Sequence, residues 1–173
     1  RFFVNRLAEH DLHKAQSLFE QALDADPGYA RAYSGIADCW SNLADDWVPP
    51  EVAYPKAKSA ATRAVQLDPS LGEAHTSIGK VLCWYEWDFE GASHALAKAV
   101  EYNPNYAEPH FVYGSTLPAV GRLVEAIDEL RRALVLDPLS AHFSRWLGRF
   151  LLYAERNEAA VEQSRKTLEI EPG

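Results

Sequence analysis

Five prolines, each preceded by an acidic or Asn residue, set the period of this chain. Pro27, Pro69, Pro104, Pro138 and Pro172 follow one another at spacings of 42, 35, 34 and 34 residues. Twelve residues before each stands an alanine, at Ala15, Ala57, Ala92, Ala126 and Ala160. Five before each comes another small residue, at Ala22, Ala64, Ala99, Ala133 and Thr167. Nine and ten residues after a proline an apolar residue is followed by a small one: Ile36-Ala37, Ile78-Gly79, Tyr113-Gly114 and Leu147-Gly148. Residues 105–138 display the unit most clearly, as two helical patterns separated by one turn and closed by Pro138. Ala126, Leu130 and Ala133 lie four and three apart, on one helical face, and small residues at fixed places let helices approach closely.

A 34-residue period of helix, turn and helix, with a large-then-small pair in the first helix and small residues at fixed places in the second, resembles the tetratricopeptide repeat. The resemblance covers essentially the whole chain. It implies an all-α, right-handed superhelical solenoid of antiparallel helix pairs, about five repeats with the first truncated, at roughly residues 1–27, 28–69, 70–104, 105–138 and 139–173. Each unit buries its core against its neighbours, which makes residues 1–173 one array. Residues 1–8 read as the tail of a first helix, and Asp11 to Ala25 as its partner with Ala15, Phe19 and Ala22 inward. In the second unit Tyr33, Ile36, Ala37 and Trp40 share one face, and Ala57, Ala61, Ala64 and Val65 belong to the second helix. An insertion of eight residues falls within 42–55, where residues 45–50 are predicted to form a loop carrying Trp47 as a contact candidate. The third unit has one extra residue near Trp87, with Trp84, Trp87 and Phe89 expected to pack against the adjacent repeat. Pro109 sits in a first helical turn, where its missing N–H costs nothing, whereas Pro118 should kink its helix or end it early. In the fifth unit Ser164 and Thr167 replace larger or more apolar residues, which predicts weaker packing.

Composition narrows the function. A net charge of −8 argues against nucleic acid as the partner of this segment, since binding a phosphate backbone needs a field of Lys and Arg. No apolar run reaches the ~18 residues that span a bilayer, so membrane insertion is not expected. Cys39 and Cys83 occupy unrelated places in their repeats and read as small buried residues of a reducing, cytoplasmic compartment. With no methionine and a start in mid-pattern, the chain reads as a piece of a longer one. His75 and His110 both lie six residues after a proline, so they are variants of one structural position, one repeat apart. His10 and His13 lack further ligands at metal spacing. There is no Gly-rich phosphate loop, nucleophile elbow or paired-carboxylate motif, so neither a catalytic site nor a cofactor is expected here.

Function in such an array is expected on the concave groove lined by the first helix of each unit. Register supplies its candidates: Arg31, Glu73, Glu108 and His142 four residues after each proline; Ser34, Thr76, Phe111 and Arg145 seven after; Asp38, Lys80, Ser115 and Arg149 eleven after. The basic end is the fifth unit. There Arg145 and Arg149 either pair with neighbouring carboxylates or meet an acidic ligand. Family members that grip a terminal carboxylate use Lys and Asn at such places, and Ser34, Asp38, Thr76 and Lys80 depart from that pattern. The wording of the chain is also similar to repeat regions of bacterial multidomain regulators. That resemblance implies a non-catalytic scaffold binding a protein or peptide, with a DNA-reading or catalytic domain elsewhere. Two alternatives stay open: the substrate-recruiting superhelix of an enzyme such as a glycosyltransferase, and a small-ligand-binding sensory region. The helix holding Ala160, Leu168 and Ile170 is expected to self-associate or to meet a further domain.

Overall fold

A computed structural model of the chain describes residues 8–44 and 46–172, so the expected helix tail at residues 1–7 and Asp45 of the insertion lie outside the described residues. The described residues form nine α-helices: α1 (Glu9–Ala25), α2 (Ala30–Leu43), α3 (Pro50–Leu67), α4 (Gly72–Trp84), α5 (Phe89–Tyr102), α6 (Ala107–Thr116), α7 (Leu123–Leu136), α8 (Ala141–Tyr153) and α9 (Asn157–Ile170). Among these residues there is no strand beyond one isolated bridge between Ala44 and Val48.

The acid–proline steps explain where helices stop. A residue before proline is pushed into extended backbone, and Asp26, Asp68, Asp137 and Glu171 cap α1, α3, α7 and α9 with φ between −134° and −140°. Their N–H groups still close onto the carbonyls of Ala22, Ala64, Ala133 and Thr167. The carbonyls of Asp26, Asp68, Asn103 and Asp137 then accept from the N–H groups of Tyr29, Leu71, Tyr106 and Ser140, which reverses the chain. At Asp68 the carboxylate also accepts from the Ser70 hydroxyl and N–H, at 2.7 and 3.0 Å, and these bonds hold it below the usual carboxylate range.

The reversals produce antiparallel pairs: α2 with α3, α4 with α5, α6 with α7 and α8 with α9, while α1 packs on α2, α4 on both α3 and α2, and α8 on α7. The contacts gather into two compact units, residues 1–102 and 103–173. In the first, Leu12, Ala15, Cys39 and Leu43 form one cluster with Phe19, and Ala53, Tyr54, Ala57 and Val81 form another with Val48. In the second, Val112, Leu117, Ala126, Ile127, Leu130 and Ala133 are buried together in the same element pair and its connection. The small residues placed by register do admit close approach. A Cβ at Gly79 would lie 2.4 Å from Leu96, and one at Gly114 would lie 3.0 Å from the Ala126 carbonyl oxygen.

The irregular places differ in detail from expectation. Pro50 belongs to α3 as its first residue, where a proline lacks no needed donor, so Pro49 is the last residue before the helix and part of the insertion lengthens the helix. α3 accordingly has 18 residues against 14 in α5, α7 and α9, and Pro55 lies inside it. Val48 anchors the loop in the core while Trp47 is 38 % exposed. Pro118 acts as expected: α6 ends at Thr116 and a short 3-10 turn follows over Leu117–Val120. Trp87 does not pack against a neighbouring repeat. Its backbone is left-handed (φ 57°), as it is at Gly121 and Glu155, which also lie 17 residues before their prolines, and the ring is 73 % exposed and edge-on to Phe89.

Candidate functional site

The first unit closes over most of its groove candidates. Ser34, Asp38, Thr76 and Lys80 are buried, and Glu73 is half-buried. α4 lies directly against α2, so side chains at these places meet the adjacent helix first. The Ser77 hydroxyl donates to Asp38 at 2.9 Å, and the Thr76 hydroxyl donates to the Gly72 carbonyl. Arg31 remains exposed. In the second unit Phe111 is buried, the Ser115 hydroxyl donates to the Val112 carbonyl, and Glu108 accepts from the Tyr106 hydroxyl at 2.7 Å.

What remains on the surface of residues 103–173 is concentrated on α8. Its first turn is fixed by the Ser140 hydroxyl, which accepts from the Phe143 N–H at 3.3 Å. From there His142, Arg145 and Arg149 fall three and four residues apart on one helical side, all exposed. Arg145 pairs with Glu171, and both partners are solvent-exposed. Arg149 instead lays its guanidinium 5.0 Å from the Trp146 ring centroid, and no carboxylate among the described residues pairs with it. His142 stacks on Phe111 at 4.8 Å, and that partial burial, together with Arg145 one turn on, holds its imidazole below its ordinary value. An aromatic run lies beneath this surface: the buried Phe111 stacks on the half-buried Phe143 at 4.6 Å and meets Trp146 edge-on, and Trp146 meets the buried Phe150. Register reasoning omitted Phe143 and Trp146. The signal was present in the density of aromatic and basic residues over 142–150.

A cleft of about 590 Å³ opens beside these arginines, lined by Ser144, Gly148, Ser164, Thr167 and Leu168 with Arg145, Arg149 and Glu171 at its edges. Its origin is a volume deficit. Gly79 and Gly114 face Leu96 and Leu130, whereas a Cβ at Gly148 would find its nearest neighbour, the Ser164 hydroxyl, at 3.7 Å. Of the three residues expected to mediate contacts from α9, Ala160 is buried and Ile170 half-buried, while Leu168 is 62 % exposed.

A shallower cleft of about 900 Å³ lies within the first unit, lined by residues that include Tyr33, Lys56, Lys58, Arg63 and Glu86. Of its cations, Lys58 pairs with Glu86 at 2.6 Å, Lys56 sits over the Trp40 ring, and Arg63 reaches Gln66. The histidines at equivalent places are structural. His75 and His110 each direct Nε2 to the carbonyl of the proline six residues earlier, and His110 adds a 2.6 Å bond from Nδ1 to the buried Glu129. Among the described residues no three His, Cys, Asp or Glu side chains are grouped to hold a metal. Cys39 and Cys83 are buried and are not joined in a disulfide, and burial, reinforced by Asp38, pushes the Cys39 thiol up to about 12. No helix among these residues is long and apolar enough to cross a membrane.

Tetratricopeptide repeat profiles match residues 6–45, 84–141 and 119–173. The transcriptional regulator HilA of Salmonella typhimurium is 26 % identical over 139 residues, covering 80 % of this chain and 25 % of that protein. The Hsp70-Hsp90 organizing protein of Triticum aestivum is 24 % identical over 143 residues, 76 % of this chain and 22 % of that one. The chain thus spans about a quarter of the length of the curated relatives it matches. Among solved structures, TTC0263, a thermophilic TPR protein of Thermus thermophilus, superposes with a TM-score of 0.76 at 23 % identity, over 99 % of this chain and 89 % of that one. YrrB, "a TPR protein with an unusual peptide-binding site", gives 0.64 at 28 % identity, over 98 % and 83 % of the two chains. The fold is therefore the all-α tetratricopeptide solenoid, and with that family's profiles matching more than half of its residues, the chain belongs to the tetratricopeptide repeat family.

Proposed function

We propose that this chain is a non-catalytic protein-interaction module of a larger regulatory protein and that it binds an acidic segment of a partner on the surface of α8. The observation that carries this reading is Arg149: an exposed guanidinium held by a ring and by no carboxylate of the described residues, on the rim of a cleft, in a chain of net charge −8. Arg145 adds to it. Exchanging an exposed partner such as Glu171 for an incoming carboxylate costs little, because surface ion pairs are worth only about 0–1 kcal/mol. His142 stays largely neutral near neutral pH and offers a hydrogen bond and a ring face in place of a third charge. Both guanidinium groups have the planar fork that matches carboxylates. The similarity to a transcriptional regulator and to a protein described as having a peptide-binding site supports a recognition role.

The test is binding of a fluorescently labelled oligoglutamate peptide to the chain and to its Arg145→Ala/Arg149→Ala variant. Loss of about 1.5–3 kcal/mol for each charged hydrogen bond removed, with an unchanged melting temperature, is the expected result. Equal binding by both proteins, or a lowered melting temperature without a change in binding, would show that the arginines are internal partners.

A further inference from the structure

The five tryptophans of the chain divide into two kinds. Trp40 and Trp146 are half-buried, and each has a cation of this chain over its ring, Lys56 at 4.1 Å and Arg149 at 5.0 Å from the centroid. Trp47, Trp84 and Trp87 are 38, 41 and 73 % exposed, and among the described residues no Lys or Arg lies over any of them. All three belong to connections within the first unit: Trp47 lies between α2 and α3, Trp84 ends α4, and Trp87 is in the turn to α5. These connections lie side by side. Val48 and Tyr85 pack on the same buried cluster, the Tyr54 and Tyr85 rings stack at 5.3 Å, and Lys58 of α3 reaches Glu86 at 2.6 Å. Backbone bonds fix both, from the Val48 N–H to the Leu43 carbonyl and from the Asp88 N–H to the Leu82 carbonyl, each at 2.9 Å.

Charge along this edge has one sign. Residues 46–54 and 84–93 carry Asp46, Glu51, Glu86, Asp88 and Glu90 and no Lys or Arg. Lys58 takes up Glu86, and Asp88 accepts from the Gly91 N–H at 2.9 Å, whereas Asp46, Glu51 and Glu90 are exposed with no cation paired to them among the described residues. The corresponding connections of the second unit contain no tryptophan and bring their own arginines: Arg122 pairs with Glu125 at 2.6 Å, and Arg156 follows Glu155. Glu51 and Glu90 also stand in first helical turns, where an acid suits the helix terminus; that accounts for the carboxylates and not for the exposed rings beside them. An open indole face attracts a cation through its quadrupole, and the neighbouring carboxylates add to that attraction. Repeats stack through their helix faces, so a further repeat at either end of the array would leave these connections open.

We infer that this edge binds an Arg-rich segment of a partner protein, with guanidinium groups stacked on Trp47, Trp84 and Trp87 and bonded to the carboxylates beside them. Arginine suits it better than lysine, because its planar group both stacks on a ring and forks onto a carboxylate. The site is independent of the acidic-partner reading, since it uses no residue of α8 and takes the opposite charge.

The test is titration of fluorescently labelled hexa-arginine into the intact chain. Anisotropy gives the affinity, and the indole N–H signals of the tryptophans in a proton–nitrogen correlation spectrum give the location. Saturable binding is expected, moving the signals of Trp47, Trp84 and Trp87 and leaving those of Trp40 and Trp146 in place. Trp87→Asn installs a residue that tolerates the left-handed backbone, so it should keep the melting temperature while weakening binding by about fivefold or more. Glu51→Gln with Glu90→Gln should weaken it as well, and hexalysine should bind less tightly than hexa-arginine. Binding that survives Trp87→Asn and Trp47→Ala unchanged, or equal binding of hexalysine, would mean that net charge alone attracts the peptide and would overturn the inference. Self-association in sedimentation, abolished by Trp87→Asn, would make the occupant a second copy and overturn it too.

Discussion

His110 sits where two acceptors converge, the Pro104 carbonyl at Nε2 and the Glu129 carboxylate at Nδ1. Both ring nitrogens therefore favour carrying protons, and the bond to Glu129 raises the imidazole above its ordinary value in spite of burial. At the equivalent place His75 has Ala95 across from it where His110 has Glu129, and it keeps the proline carbonyl alone, beside the Tyr102 ring. In the last repeat the same place carries Ser144, which accepts from Gln163 at 2.7 Å. A cross-helix polar pair thus joins α6 to α7 and α8 to α9, with different chemistry in each, and Ala95 offers His75 no such partner on α5. Replacing His110 with Ala leaves Glu129 buried with Arg132 as its remaining ion partner, and a loss at the lower end of about 3–5 kcal/mol is expected in urea unfolding. The pH dependence has a definite sign. Because the folded state holds the proton more tightly, the contribution of His110 is complete below the unfolded value of about 6.5 and is lost as pH rises through the raised folded value. Thermal midpoints should fall across that window in the wild type and lose that slope in His110→Gln; parallel curves would count against a charged His110.

At the scale of the helix pair, the large-then-small rule has an energetic consequence that differs between units. Gly114→Ala puts a Cβ 3.0 Å from a backbone oxygen of α7, which cannot move aside, and overpacking of this kind costs about 1–3 kcal/mol. Gly148→Ala meets its nearest atoms at ordinary van der Waals distance, 3.7 to 4.0 Å, and gains about 0.5–1 kcal/mol from removing a helical glycine. Opposite shifts in the denaturation midpoint are therefore expected from the same substitution one repeat apart, and shifts of equal sign would show that α8 and α9 pack as tightly as α6 and α7. The prolines act at this scale too. Pro118 shortens α6 to 10 residues, whereas Pro50 and Pro55 are accommodated at the start and inside of α3. For Pro50 and Pro118 the difference lies in position: a proline at a first turn lacks only a donor that had no partner anyway, whereas Pro55 lies beyond the first turn of α3 and its accommodation has no such account.

Over the whole molecule, stability in a repeat array is close to a sum of local pairs and their neighbours. With contacts gathered into residues 1–102 and 103–173, damage to one unit should stay there. Leu130→Ala removes a fully buried side chain of α7 at a cost of about 2–5 kcal/mol. Amides of α6 to α9 should then exchange faster while those of α2 to α5 keep their protection; uniform loss along the chain would reveal a single cooperative body. The sequence by itself determined the period, the helix ends, the inward alanines and the kinship of His75 and His110. Each of these follows from short-range rules, the conformational restriction imposed by proline and the spacing of one helical face. Tertiary structure alone decided which first-helix residues meet solvent. Ser34, Asp38, Thr76 and Lys80 share repeat places with Arg145 and Arg149, yet α2 and α4 lie against one another and close over the former, while α8 leaves its arginines exposed. The cleft at Gly148 arose in the same way, because the empty volume belongs to neither Gly148 nor Ser164 and exists only once the two helices that carry them are packed together.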